Sequence, residues 1–266
     1  MNCFWIENTE RTLKELRRKS QGVVVLPLGS IEAHGPHLPV GSDTFSADDL
    51  ARRVAKCETV AILPTLAYNF VAEARMLLGA IHVPSSLLTA FIMNICEEVY
   101  RNGFDKIVLL HCHGGNVCLH QQFLKEVHEQ EKPYSVYSIP VFGGREAEIK
   151  GMMKQKPDGH GGEFETSTNL ASNPALVNLG ALGGKGFTTY PRPDIGAAVS
   201  SVEWVSQHPL MAVGRPQNAT KETGEIIYKI WTDETVSILR KIKKDKLGPS
   251  VVRSYNKRVR GLRATV

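Results

Sequence analysis

The chain has no apolar run near the ~20 residues that span a bilayer, and its opening residues, MNCFWIENTERTLKELRRKS, lack a secretory-leader pattern. Its five cysteines, Cys3, Cys57, Cys96, Cys112 and Cys118, are an odd set without a CxxC spacing. That argues against a disulfide framework and for reduced thiols in a cytoplasm. No GxGxxG follows an apolar run, which weakens a dehydrogenase reading. Gly183-Gly184-Lys185-Gly186 has neither the spacing nor the preceding strand of a phosphate loop. Internal repeats and low-complexity linkers are missing too. The formal net charge of +5 is confined to one end: from Arg240 onward ten Lys or Arg face one Asp, a local +9 that leaves −4 for the rest. Nucleic-acid binding by the main body is therefore not expected. What remains is ordinary for a soluble protein: 42% hydrophobic and 22% charged residues in 266, enough for a large core without staples. One domain over 1–266 is expected, with a basic tail from about 240 that is solvated or contacts another subunit.

The densest chemistry lies between Val23 and Asp43, VVVLPLGSIEAHGPHLPVGSD. Val23, Val24, Val25, Leu26 and Leu28 have no polar face, the pattern of a short strand buried on both sides of a parallel sheet. Gly29 ends it. Glu32 and His34 follow two residues apart and share a face in extended chain. Asp43 comes nine residues later, past Pro36 and Pro39. Any one of these side chains alone is more often a turn former or a satisfied polar group. Together, in a loop held by two prolines and three glycines, they form a carboxylate–imidazole–carboxylate set suited to a divalent metal, at the strand edge where open α/β sheets bind ligands.

Further along, 9–18 reads as a charged helix. A helix capped by Asp43 or Thr44 runs to about Lys56, and a second strand covers Thr59 to Leu63. The long loop from Thr65 to Pro84 carries Tyr68, Asn69, Glu73, Arg75 and His82, a candidate substrate wall. A helix from Ser85 or Ser86 to Tyr100 stops at Gly103. Lys106 to Leu110 is a third strand running into His111-Cys112-His113-Gly114-Gly115-Asn116. There His111 and His113 share a face, Cys112 turns to the core, and Asn116 caps a helix to about Glu131. Ser135 to Phe142 is a fourth strand. A polar, Gly-rich loop over 143–162 leads to a short helix from Glu163 and Glu165. A loop covers Asn178 to Gly196, and one long helix covers Thr220 to Lys246. Strands alternating with helices give a doubly wound, mainly parallel sheet.

Three motifs in this order resemble the creatininase (creatinine amidohydrolase) family. They are Leu26-Pro27-Leu28-Gly29-Ser30-Ile31-Glu32-Ala33-His34-Gly35-Pro36-His37-Leu38-Pro39 with Asp43 following, then His113-Gly114-Gly115-Asn116, then His160-Gly161-Gly162-Glu163-Phe164-Glu165-Thr166-Ser167. The resemblance implies a three-layer α/β/α fold, a homo-oligomer with a hexamer as its expected form, and two divalent metal ions per subunit, zinc, manganese or iron(II). It implies that Glu32, Asp43 and His113 hold one ion and His34, Asp43 and Glu165 the other, with Asp43 bridging. His160 would be the acid/base residue.

The chain departs from creatininase itself at Gly115, where that enzyme has a metal-holding glutamate, and at Lys156, where it has a tryptophan lid. Ala72-Glu73-Ala74 also lacks a histidine often found there. The expected activity is hydrolysis of a C–N bond, in a cyclic amide or formamide of a small polar substrate other than creatinine. Glu73, Arg75, Gly114 and Lys156 are expected to meet that substrate, the cations with Lys154 favouring an anionic group. Formylaminopyrimidine deformylases and a peptide-processing enzyme of the same family are the alternatives. A non-catalytic binding protein on the same fold is a reading of another class, which the intact set of six site residues opposes.

Overall fold

The computed structural model describes residues 1–140, 144–184 and 186–263. Thr9 closes a reciprocal capping box with Thr12 and starts α1, Glu10–Lys19. β1, Val23–Leu28, is buried at every position, as a strand covered on both faces must be. It is followed by α2 (Ser42–Cys57), β2 (Ala61–Ile62), α3 (Ser85–Arg101), β3 (Lys106–His111), α4 (Val117–Glu129) and β4 (Ser135–Ile139). α5 (Glu146–Met152), α6 (Glu163–Ser172), α7 (Glu203–Gln207), α8 (Lys221–Lys244) and α9 (Leu247–Arg263) complete the chain.

The four strands are parallel in the order β2-β1-β3-β4. Val23 pairs with Lys106 and Leu28 with His111, so β1 and β3 end level. Alternate strand residues divide the core in two. Val23, Val25, Val108 and Leu110 pack with Leu50 and Val54 of α2 and Ile227, Trp231 and Leu239 of α8. Val24, Leu26, Leu28, Ile107 and Leu109 pack with Leu16 of α1, Leu88, Ile92 and Val99 of α3, and Phe123 and Val127 of α4. The result is the expected three-layer α/β/α fold. Because the chain leaves β1 for β2 on one side and places β3 on the other, the carboxyl ends of β1 and β3 form the switch point where such sheets bind ligands.

Several expectations need correction. Asp43 and Thr44 do not cap α2; Gly41 holds that place without a side-chain bond, and Asp43 lies in the first turn, aimed at the site. β2 is only two residues long. β4 stops at Ile139, and Val141 and Phe142 lie outside the described residues, as does Lys185. The polar stretch over 143–162 contains α5, which buries little beyond Ile149 and so leaves a faint apolar signature. The helix expected over Thr220 to Lys246 is α8, but it is not the last: α9 follows it. Asp245 separates the two, and its Oδ1 accepts the N–H groups of Leu247 and Gly248, starting α9. The basic tail is therefore not a free strand of charge. Asn256 on α9 donates to the carbonyls of Glu131 (2.8 Å) and Lys132 (3.1 Å), and Tyr137 of β4 donates to Asp245.

Candidate metal centre

Local geometry begins at Gly29. A Cβ there would lie 2.5 Å from Thr44 Cα, so only glycine lets α2 start directly above the end of β1. Thr44 Oγ1 donates to the carbonyl of Ser30 (2.7 Å), and Glu32 N donates to the carbonyl of Val40 (2.9 Å). These bonds fold the loop so that Glu32, His34 and Asp43, at 2%, 0% and 4% exposure, meet inside it. β3 delivers His113 from the neighbouring strand end. The fourth contribution comes from α6. Gly161 has φ +62°, and a Cβ on it would sit 2.8 Å from the carbonyl oxygen of His34. That close approach brings Glu165 to the cluster. Asp158 accepts the N–H groups of Glu163 and Phe164 at the start of α6 (2.7 and 3.0 Å), and burial raises its carboxyl to about 6.

The donor atoms fall into three triads: Glu32, Asp43 and His113; His34, Asp43 and Glu165; and Glu32, His34 and His160, the first two sharing Asp43. His113 Nδ1 is 2.9 Å from both Glu32 Oε1 and Asp43 Oδ2. His34 Nε2 is 3.2 Å from Asp43 Oδ1 and 3.6 Å from Glu165 Oε2, yet it is buried without a hydrogen-bond partner. Each ring's other nitrogen is tied to a backbone carbonyl. His113 Nε2 faces Phe70 O at 3.2 Å and His34 Nδ1 faces Glu32 O at 3.1 Å. Anchors of this kind fix the tautomer of a metal-ligating histidine. The Ser30 hydroxyl donates to Asp43 Oδ2 at 2.8 Å or Glu32 Oε1 at 3.1 Å.

The electrostatics fit a cation site. Burial opposes a charged His34, but Asp43 and Glu165 outweigh it and hold the ring up at about 10. His113 is likewise raised against burial by Glu32 and Asp43. Burial works against the Asp43 carboxylate, yet His34 and His113 keep it well below its usual range. Protonated imidazoles thus stand where divalent ions would, and an ion would displace those protons. Mixed carboxylate and imidazole donors suit zinc, manganese or iron(II).

His160, which belongs only to the third triad, is also held by groups outside the cluster. Its ring stacks on His34 at 4.0 Å, and its Nδ1 is 2.7 Å from the carbonyl of Met211. Its Nε2 is buried without a hydrogen-bond partner, 3.5 Å from Glu32 Oε1. Met211 is 2% exposed and holds φ +48°, a left-handed conformation costly for a side chain of its size. That turn aims its carbonyl at His160. A cavity of about 470 Å³ opens over the centre, lined by Glu32, His113, His160 and Glu165 and further by Glu73, Gly114, Lys150, Phe164, Trp204 and Met211.

Of the residues expected to meet substrate, Glu73 and Gly114 line this cavity. Arg75 and Lys156 do not. Arg75 lies on the exposed side of a single turn that buries Ala74, and Lys156 lies in an exposed run over 154–157. Lys150 on α5 is the cation that lines the cavity. Cys112 belongs to the core and Cys118 is exposed. Ser30, Met211 and Trp204 escaped the sequence reading. Ser30 stands within a motif, but nothing in the spacing of Trp204 or Met211 ties them to a site whose last residue, Glu165, lies 39 and 46 residues back.

Comparisons with known proteins agree with this fold. A family model described as Creatininase: Creatinine amidohydrolase matches residues 7–239. The mycofactocin precursor peptide peptidase of Mycobacterium ulcerans (strain Agy99) is 26% identical over 223 residues, 80% of this chain and 83% of that protein. The creatinine amidohydrolase of Pseudomonas putida is 26% identical over 238 residues, 82% of this chain and 88% of that protein. A solved structure described as "Creatininase Mn" superposes with a TM-score of 0.76 at 22% identity, covering 92% of this chain and 100% of its own.

Proposed function

The chain belongs to the creatininase family, and from that premise we propose that it is a divalent-metal-dependent amidohydrolase. Its substrate is a small polar molecule cleaved at the C–N bond of a cyclic amide or formamide. The observation that carries this reading is the pair of buried donor triads sharing Asp43 beneath a cavity. Glu32, Asp43 and His113 would hold one ion, and His34, Asp43 and Glu165 the other, zinc, manganese or iron(II). Bound there, the ions supply an acidified water and polarise the amide carbonyl.

The chain's own residues supply the rest. Ser30 holds Asp43 and Glu32 in place. The Met211 carbonyl keeps the proton of His160 on Nδ1, so Nε2 is the atom that exchanges protons with the reaction. His160 takes a proton there and returns it to the departing nitrogen. The cavity walls keep bulk water away from that transfer.

The similarity to a peptide peptidase favours a second reading, a short peptide as substrate. A homo-oligomer, with a hexamer as its expected form, and a cytoplasmic setting belong to the same proposal. Among the described residues no helix is long and apolar enough to cross a membrane. Anaerobic purification, elemental analysis and a turnover screen of cyclic amides, formamides and short peptides test the reading. Metal-replete protein that hydrolyses none of them overturns it.

A further inference from the structure

We propose that Trp204 is a specificity-determining residue that selects for a flat, unsaturated group on the leaving-nitrogen side of the amide. The inference rests on the amidohydrolase reading and deepens it. Trp204 reaches the cavity from α7, far in sequence from every candidate ligand. Its ring meets His160 edge to face, centroids 6.1 Å apart at 74°, and lies 4.4 Å from the ring of His208. Its Nε1 donates to Met211 Sδ at 3.3 Å. Met211 therefore fixes both rings, the imidazole through its carbonyl and the indole through its sulfur.

The segment that carries Trp204 is built to hold it still. Arg192 donates to Glu203 Oε1 (2.7 Å), to the carbonyl of Gly196 (3.1 Å) and to that of Ala198. Tyr190 N donates to the carbonyl of Gln207. The base of the excursion is closed where Phe187 bridges Gly214 and Val213 N donates to the carbonyl of His160 (2.7 Å). Yet 37% of Trp204 remains exposed. A large ring, fixed in orientation and left partly bare at the cavity wall, binds a flat group at little entropic cost.

The side of the cavity decides which half of the substrate it meets. His160 returns its proton to the departing nitrogen, so the groups beside His160 flank the amine fragment, not the acyl fragment. Trp204 and Met211, both in contact with His160, belong to that flank and are apolar. Glu73 and Gly114 line the same cavity without a contact to His160 of that kind.

The test uses the metal-replete full chain with two formamides of similar size, N-phenylformamide and N-cyclohexylformamide. The expected result is that Trp204→Ala reduces the wild-type preference for the phenyl compound roughly tenfold, the worth of one aromatic contact. The loss appears mainly in KM, Trp204→Phe retains most of the preference, and metal content is unchanged in both variants. An equal preference in wild type and Trp204→Ala overturns the proposal. So does Trp204→Phe behaving like Trp204→Ala, since that marks a structural role for the indole. If the metal-replete wild type hydrolyses no amide at all, the amidohydrolase reading has failed, and this proposal falls with it.

Discussion

Ser30 has one hydroxyl proton and two carboxylate neighbours, Asp43 at 2.8 Å and Glu32 at 3.1 Å, so it orients ligands without being one. Ser30→Ala should leave all five donors in place and weaken metal affinity by roughly 10–100-fold, the usual worth of such a support. A competition titration against a chelator reads this directly, and unchanged affinity would remove Ser30 from the site. Asp43 belongs to both triads. Asp43→Ala should therefore empty both sites, while His34→Ala and Glu165→Ala should chiefly empty one. Elemental analysis separates these outcomes, and two retained ions in Asp43→Ala would exclude a bridging role. On the proposed reading His160 moves the substrate's proton and does not hold an ion, although it stands in a donor triad with Glu32 and His34. His160→Ala should keep its metals and lose roughly 10²–10⁴-fold in kcat; undiminished kcat in a metal-replete variant would make this residue a bystander.

Among the elements, α6 matters most to the centre because it carries Glu165. It crosses α8 at Gly224, where a Cβ would lie 2.0 Å from the carbonyl oxygen of Ser167. Gly224→Ala must push the two helices apart. It should destabilise the fold by about 1–3 kcal/mol or more, and it should weaken metal binding through Glu165 even though no ligand has changed. Thermal melts with and without metal measure both effects, and a variant as stable and as metal-avid as wild type would show that the crossing yields freely. How readily such elements can be read from sequence varies for physical reasons. β1 and β3 were legible because a doubly covered strand is apolar through its centre, with Lys106 and His111 only at the ends of β3. Glu32, His34, Asp43, His113 and Glu165 were legible as a group because they stand inside compact Gly- and Pro-framed motifs. α5 was hidden because a marginal helix buries almost nothing. α9 was missed because its Lys- and Arg-rich sequence reads as a solvated tail, with few apolar residues to mark a helix. Arg75 and Lys156 were misplaced because spacing does not say which side of a turn faces a cavity. Trp204 was invisible because its contact is made by tertiary folding alone.

Taken whole, the molecule keeps several imidazoles neutral in its interior. His111 and His120 stack at 3.5 Å behind β3. Burial, then neighbouring histidines, lowers both, His120 to about 3. Burial and His34 bring His37 down to about 4. A histidine depressed in the folded state refuses protons that the unfolded chain accepts below ~6.5. Stability should therefore fall as pH drops from about 6.5 towards 4, by roughly 1.4 kcal/mol per pH unit for each such ring, an effect that Asp158, raised to about 6 by burial, offsets by one proton over the lower part of that window. The carboxylates held low by the site lose their contribution only below that window. Urea midpoints at pH 7 and pH 5 measure the slope. His120→Gln should flatten it, and an unchanged slope would place the acid sensitivity elsewhere.

The parallel order β2-β1-β3-β4 has a further consequence, for the protein in the making. Glu32 and Asp43 leave the ribosome early, but α6 finds its packing partner only when α8 has been made, some two hundred residues after Asp43. At about 5–20 residues per second that interval is on the order of ten to forty seconds. Through much of it the nascent chain can assemble Glu32, Asp43 and His113 at the ends of β1 and β3, but Glu165 has no packed α6 to hold it. Filling of the second triad would thus be a late event in the life of each molecule, and a stalled chain ending near residue 215 should hold fewer ions than the full chain.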